Sequence, residues 1–237
     1  MLRPAAGAPW PAPGAHDAVV ALGSDCSVAR TPDAWIAAEV AFLRAAHEAG
    51  VPVLGLCFGG QALVAALGGE VQRAAHPEIG WVALDRPIVL RGDGDGPAGA
   101  EGVLEVAGPF FAWHEDAFTV PPGATELARS PAGPQAVAHG RSLALQFHPE
   151  VDEAIVEAWL DWGRSQLADA RLDEEALRAE TSARAADARR RAFALFDGWA
   201  ASWLPAPPPA GAAVPDTRAR RRDTRGPGGV TPADPAA

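Results

Sequence analysis

A cysteine, a histidine and a glutamate are the residues of this chain whose types and spacing could perform chemistry. Cys57 directly follows the apolar run 51–56 and precedes Phe-Gly-Gly. This pattern predicts a strand that turns sharply through glycines into a helix, the geometry that exposes a nucleophile. His148 and Glu150 follow a second apolar run, 143–147. The three side chains could therefore act as a nucleophile, a base and the acid that orients the base.

The local sequence supports each of these roles. A helix starting near Gly59 would place Cys57 in the positive field of a helix N-terminus, which favours the thiolate. The amide of Phe58 would face the same space and could bind an oxyanion. Pro149 favours an extended backbone at His148, and extended residues two positions apart share a face. The imidazole and the carboxylate of Glu150 can therefore project together.

Each residue alone also has a purely structural interpretation. A buried cysteine at a strand end is often only a small hydrophobic residue. A histidine at such a position is often a hydrogen-bonded core or loop residue. Because Cys57 and His148 each end a separate apolar strand, we interpret the pair as a catalytic site.

The segment Gly-Leu-Cys-Phe-Gly-Gly-Gln at 55–61, together with Phe-His-Pro-Glu at 147–150, resembles the class I (triad-type) glutamine amidotransferase domain. It is similar to the branch that includes the glutaminase domain of GMP synthase, from about Asp17 to about Leu160. The resemblance implies that Cys57 attacks the side-chain amide of glutamine. A thioester forms, ammonia leaves, and water then releases glutamate, with His148 as acid and base.

The resemblance also implies roles for three further segments. The strand 18–22 ends in Gly23 and Ser24, where the family has a loop whose amide completes the oxyanion hole begun by Phe58. Gln61 corresponds to a substrate-holding position. The segment 111–116 corresponds to the loop that receives the amino and carboxylate ends of glutamine, so that substrate-binding positions are expected at Trp113, His114 and Glu115.

Two positions depart from the family pattern, and they leave two classes of function open. Gly60 stands where many members have histidine, and Gly-Ser-Asp at 23–25 stands in place of Gly-Gly-Pro. The first class is a hydrolase that acts on glutamine or on a γ-glutamyl compound. The second is a catalytically idle assembly or regulatory module on the same fold. No synthetase pattern follows the domain, so an ammonia acceptor would have to be a partner protein.

The composition fits a cytoplasmic enzyme. The net charge of −10 argues against a nucleic-acid partner. Neither a signal peptide nor an apolar run approaching about 20 residues is present, so we expect no membrane association. A catalytic Cys57 must be reduced, which suits a reducing compartment. No cofactor or metal is expected, because the run 92–97 has too few carboxylates for a calcium loop and reads as a turn.

Alternating strand and helix patterns predict an α/β fold with a flavodoxin-like, doubly wound, mostly parallel sheet and helices on both faces. Thr31 and Pro32 are expected to cap and begin a helix that closes at Gly50. A helix after the nucleophile strand should end near 68–69, and another should follow Asp152. Further strands are expected near 80–85, 103–106, 125–129, 135–138 and 143–147, partly in an antiparallel flap.

Four regions are predicted along the chain. Residues 1–16 form an irregular N-terminal segment, 17–168 the amidotransferase domain, 169–200 a helical extension, and 201–237 a disordered tail. The extension could dock through its aromatic end, Phe193, Phe196 and Trp199. The proline-rich start cannot form the strand and helix that normally open this fold, so we expect the fold to lack them and the true start to lie upstream.

Overall fold

A computed structural model describes residues 9–91 and 103–204. The strands are β1 (Val19–Ala21), β2 (Val53–Leu56), β3 (Val71–Val82), β4 (Ile88–Arg91), β5 (Val103–Val106), β6 (Phe110–Phe118), β7 (Thr125–Ser130), β8 (Gly133–His139) and β9 (Ser142–Leu145). The helices are α1 (Ala34–Glu48), α2 (Phe58–Ala66), α3 (Glu153–Trp162), α4 (Arg164–Ala170) and α5 (Glu174–Trp203).

The central sheet has the strand order β1-β2-β9-β8-β7. β1, β2 and β9 are mutually parallel, and β8 and β7 extend the sheet with antiparallel pairing. Two antiparallel pairs, β3 with β6 and β4 with β5, stand beside it. The expected α/β fold is confirmed. Since the parallel strands carry their carboxyl ends to one edge, that edge gathers the ends of β1, β2 and β9.

Alternation along the parallel strands builds a core on each face of the sheet. Val53 and Ala144 pack with α1 and α2 on one face. Their neighbours Leu54 and Leu143 pack with Leu195 and other residues of α5 on the opposite face. Because successive strand residues point to opposite faces, burial at every position of β2 and β9 requires cover on both sides of the sheet. The predicted cover by helices is therefore observed.

Helix α1 begins later than the sequence pattern predicts. Asp33 is its N-cap, so the expected cap at Thr31 is wrong. The hydroxyl of Thr31 accepts a hydrogen bond from the Ser27 amide (2.8 Å) and so belongs to the preceding loop. The predicted C-terminal end is confirmed, since Gly50 adopts a φ of 72° and donates to the carbonyl of His47.

The long helix α5 docks through only some of its aromatic residues. Trp199 is 1% exposed, whereas Phe193 and Phe196 are 55% and 47% exposed. The expected aromatic docking therefore holds for Trp199, which packs with Leu195 against the sheet. No helix among the described residues combines the length and apolar character needed to cross a membrane.

Some predictions fall where the structure gives no description. The turn expected at 92–97, the first eight residues and positions 205–237 of the predicted tail lie outside the described residues. The tail was predicted to begin at 201, but helix α5 continues to Trp203, which is buried, so that boundary is wrong. Among the residues that the structure describes, β1 is an edge strand of the central sheet, and Val20 in this strand is 44% exposed.

Candidate active site

Cys57 occupies a strained turn between β2 and α2. Its φ of 49° and ψ of −108° are rare for a residue with a side chain. The backbones around it approach closely, because a Cβ on Gly55 would lie 2.5 Å from the Gly59 carbonyl oxygen and one on Gly59 only 2.2 Å from that of Ala21. The Cys57 amide donates to the Leu145 carbonyl at 2.8 Å. The turn thus has the geometry of a nucleophile elbow.

Helix α2 begins immediately at Phe58. As the first helical residue, directly after Cys57, Phe58 has an amide without an acceptor inside the helix. The predicted oxyanion role of this amide is therefore compatible with the local geometry.

His148 follows β9 and is held by the neighbouring strand β6. Its amide donates to the Phe111 carbonyl at 2.7 Å, and its Nδ1 lies 2.7 Å from a carboxylate oxygen of Glu150. A ring whose Nδ1–H donates to a carboxylate has Nε2 free to exchange a proton with a thiol. The expected pairing of His148 with Glu150 is thus present in the structure.

The electrostatic environment of His148 favours the charged imidazolium. Burial opposes the charge, but attraction to Cys57 and the hydrogen bond to Glu150 outweigh it and raise the pKa of His148 to about 10. The ring is only 5% exposed. A protonated ring beside the thiol sulfur is the arrangement that stabilises a thiolate nucleophile.

Gln146 is a buried neighbour of the thiol that the sequence patterns did not indicate. Its side-chain nitrogen lies 3.8 Å from the sulfur of Cys57. The side-chain nitrogen of Gln61 donates to the Gln146 amide oxygen at 3.2 Å and lies 3.4 Å from the carbonyl of Asp116. The available signal was a polar residue inside the apolar run 143–147, two positions before His148.

These groups meet in a cavity of about 480 Å³ at the carboxyl edge of the parallel strands. Ligands of α/β folds commonly bind at this edge. The lining includes each of the candidate residues: Gly23, Ser24, Cys57, Phe58, Gln61, Trp113, His114, Glu115, His148 and Glu150. Residues the sequence patterns missed complete it, among them Arg30, Asp116, Trp159, Trp162 and Gln166.

The loop after β1 brings Gly23 against the catalytic pair. A Cβ on Gly23 would lie 3.1 Å from Cε1 of His148 and 4.0 Å from the Cβ of Cys57. The hydroxyl of Ser24 accepts a hydrogen bond from the Cys26 amide at 3.2 Å, so this side chain stabilises its own loop. Gly23 thus lies beside Cys57, and its loop remains the predicted source of the second oxyanion donor.

The side chains of the segment 113–115 are occupied by protein partners. Trp113 donates its indole N–H to Gln166 at 2.6 Å, His114 contacts Glu78 at 3.2 Å, and Glu115 accepts from Arg73 at 2.7 Å. On the backbone, the Trp113 carbonyl lies 3.8 Å from the thiol sulfur. Backbone atoms are therefore the better candidates for contacting a substrate here.

Helix α3 closes the cavity with aromatic rings. Trp159 meets the ring of His148 edge-on, with 4.6 Å between centroids. Such contacts fix the orientation of an imidazole without neutralising it. Among the described residues no group of histidine, cysteine and carboxylate side chains has the arrangement of a metal site.

Comparisons with known proteins agree with this geometry. The family model for class I glutamine amidotransferases matches residues 17–155. GMP synthase [glutamine-hydrolyzing] from Thermus thermophilus is 36% identical over 108 residues, which cover 44% of this chain and 20% of that protein. The enzyme of the same name from Nitrobacter hamburgensis is 39% identical over 110 residues, covering 44% and 19%. The chain thus matches about a fifth of the length of these relatives.

Solved structures show the same fold. A glutamine amidotransferase from Methylobacillus flagellatus has a TM-score of 0.69 at 27% identity, covering 87% of this chain and 85% of that one. One from Thermotoga maritima has a TM-score of 0.66 at 24% identity and covers 84% of both chains. The matched residues contain the Cys57 elbow and the His148–Glu150 pair, and the chain belongs to the class I glutamine amidotransferase family.

Proposed function

We propose that this protein hydrolyses the γ-amide of glutamine or of a γ-glutamyl compound through a thioester on Cys57. The observation that carries the proposal is the meeting, in one cavity, of a strained Cys57 with the buried His148 and its hydrogen-bond partner Glu150. The family membership supports hydrolysis over the idle-module alternative.

The reaction has two steps, formation of the thioester and its hydrolysis. The sulfur of Cys57 attacks the amide carbon, and its negative charge passes to the carbonyl oxygen, which the amides of Phe58 and of the Gly23 loop would stabilise. His148 gives a proton to the leaving nitrogen, so ammonia or an amine departs and a thioester remains. Water then attacks the thioester while His148 takes its proton, and glutamate and the free thiol result.

We further propose that released ammonia passes to a synthetase or other acceptor protein. The support is that the similar proteins from Thermus thermophilus and Nitrobacter hamburgensis are named GMP synthases, and this chain matches only about a fifth of their length. Because the mechanism requires a reduced Cys57, we place the protein in the cytoplasm.

Glutamate release from glutamine and a panel of γ-glutamyl amides tests this function, with Cys57→Ala as the inactive control and with asparagine, assayed by ammonia release, as the negative substrate. We expect release that depends on Cys57, and the preferred amide identifies the natural leaving group. An absence of release from every compound would favour the idle module.

An electrophilic glutamine analogue tests the nucleophile independently. It should modify Cys57 and leave Cys26 largely unmodified, because only Cys57 has the elbow and the following helix. Mass spectrometry of the active protein locates the adduct. Modification confined to Cys26 would contradict the assignment.

A further inference from the structure

We propose that Asp116 is a positioning residue: by binding Ser27 and Arg30 it holds the loop 22–31 against Cys57 and so places the second oxyanion donor. The inference rests on the thioester reaction proposed above. It assigns functions to side chains that make no proposed contact with the reacting atoms.

The two carboxylate oxygens of Asp116 bind two different residues of the loop. One accepts from the Ser27 hydroxyl at 2.5 Å, and the other accepts from the Arg30 guanidinium at 3.0 Å. The Asp116 side chain is 5% exposed, whereas that of Arg30 is 47% exposed. A buried carboxylate requires such donors, because an unpaired charge in this position would be strongly unfavourable. The loop position that supplies both donors is therefore favoured.

Hydrogen bonds inside the loop connect the two residues that bind Asp116. The Ser27 carbonyl accepts from the Thr31 amide at 3.0 Å, and the Ser27 amide donates to the Thr31 hydroxyl at 2.8 Å. The Arg30 amide lies 3.2 Å from the Ser27 hydroxyl oxygen. The residues bound to Asp116 thus form one compact turn instead of two separate contacts.

The opposite end of the loop is fixed to the elbow itself. The Leu22 carbonyl accepts from the Gly59 amide at 3.1 Å. Between this point and Ser27 lie Gly23 and Ser24, the proposed oxyanion donors. A segment held at both ends has a defined position over the thiol, whereas release of the Ser27 end would leave Gly23 attached only through Leu22.

This arrangement predicts a loss in the rate of chemistry with little change in substrate affinity. An oxyanion donor contributes in the transition state, so its displacement lowers kcat and has little effect on KM. Displacement by about 1 Å can lower a rate by about 100-fold. Asp116→Asn, which retains the shape but loses the charge and one acceptor oxygen, should lower kcat for glutamate release by about 10- to 100-fold, with KM within about threefold.

Alkylation of Cys57 by iodoacetamide provides the second readout. This reaction displaces iodide by the thiolate and forms no oxyanion, so it reports on Cys57 and His148 alone. In Asp116→Asn the alkylation rate at Cys57, followed by mass spectrometry, should stay within about twofold of the wild-type rate. A loss of site structure would instead slow alkylation and glutamate release together.

Ser27 offers a test that leaves the buried charge paired. Ser27→Ala removes one donor and should lower kcat by about tenfold, whereas Ser27→Thr keeps a hydroxyl and should restore most of the rate. Arg30→Gln should lower kcat by an amount between those of Ser27→Thr and Ser27→Ala. Arg86→Gln is its matched control, because Arg86 is a similarly exposed arginine (52%) that pairs with Glu126 outside the cavity.

The outcomes are distinct. A lower kcat with unchanged alkylation in Asp116→Asn, or in Ser27→Ala if the first variant fails to fold, supports the inference. Normal kcat in both folded variants, an increase confined to KM, or a parallel loss of alkylation would overturn it. Failure of the wild-type protein to release glutamate from any substrate would instead contradict the proposed function.

Discussion

The elbow 53–60 and the loop 22–31 lie on two sides of the same thiol, yet they are held in different ways. The elbow is fixed by its own glycines and by the adjacent strands, with the Cys57 amide bonded to Leu145. The loop is fixed through Asp116, a residue of β6 that is distant in the sequence. Local residue types therefore specify the first region, while the second requires the folded sheet.

The different contacts of the elbow and the loop predict which of the two regions tolerates substitution. At the elbow, backbone meets backbone, and no rearrangement of a side chain can relieve an added atom. At the loop, the nearest atoms belong to side chains, which can shift by a few tenths of an ångström. We therefore expect a loss of stability from changes at the elbow and partial losses of rate from changes at the loop.

Removing His148, the base beside the thiol of the elbow, should have the largest effect on activity. His148→Ala should lower kcat by about 10⁴-fold or more, because both proton transfers are lost. Glu150→Gln should give a smaller loss, about 10²- to 10⁴-fold, since it removes only the orienting acid. Steady-state and burst kinetics on the two folded variants measure both. Near-normal turnover by His148→Ala would exclude the triad.

Adding one methyl group at the elbow should have the next largest effect. In Gly59→Ala the new Cβ would lie 2.2 Å from the Ala21 carbonyl oxygen, so β1 and α2 must separate. We expect the free energy of unfolding to fall by about 1–3 kcal/mol or more. We also expect most of the activity to be lost. Chemical denaturation measures the first quantity. Unchanged stability would show that the two backbones are not tightly packed.

The same substitution in the loop is the matched comparison. In Gly23→Ala the Cβ meets the side-chain atom Cε1 of His148 at 3.1 Å. A small shift relieves this contact, so we expect the free energy of unfolding to change by less than about 1 kcal/mol and kcat to fall by about tenfold. A loss of stability equal to that of Gly59→Ala would remove the distinction between the two regions.

The pH dependence of stability provides the smallest effect. The pKa of His148 is about 10 in the folded protein, above its ordinary value of 6.5. Its charge therefore stabilises the fold fully below pH 6.5, and this contribution is lost as the pH rises toward 10. The difference in Tm between wild type and His148→Ala should accordingly shrink from pH 6 to pH 10. A constant difference would contradict the interaction with Cys57.

Much of the architecture could be predicted because its signals are local. The apolar runs of β2 and β9, the glycines around Cys57 and the cap at Asp152 each specify an element from neighbouring residues. The start of α1 could not be predicted, because Thr31 bonds within the preceding loop. The orientation of the α5 aromatics was also undetermined, since the sequence does not show which face of that helix meets the sheet.

The sequence by itself determined which residues are the candidates for nucleophile, base and acid, because each follows a recognisable strand and their residue types leave few other chemistries. Only the tertiary structure decided which side chains support them. Asp116 binds Ser27, and Gln146 lies beside Cys57, through contacts between residues far apart in the chain. Such contacts depend on strand order and register, which arise from the packing of the whole sheet and have no local pattern.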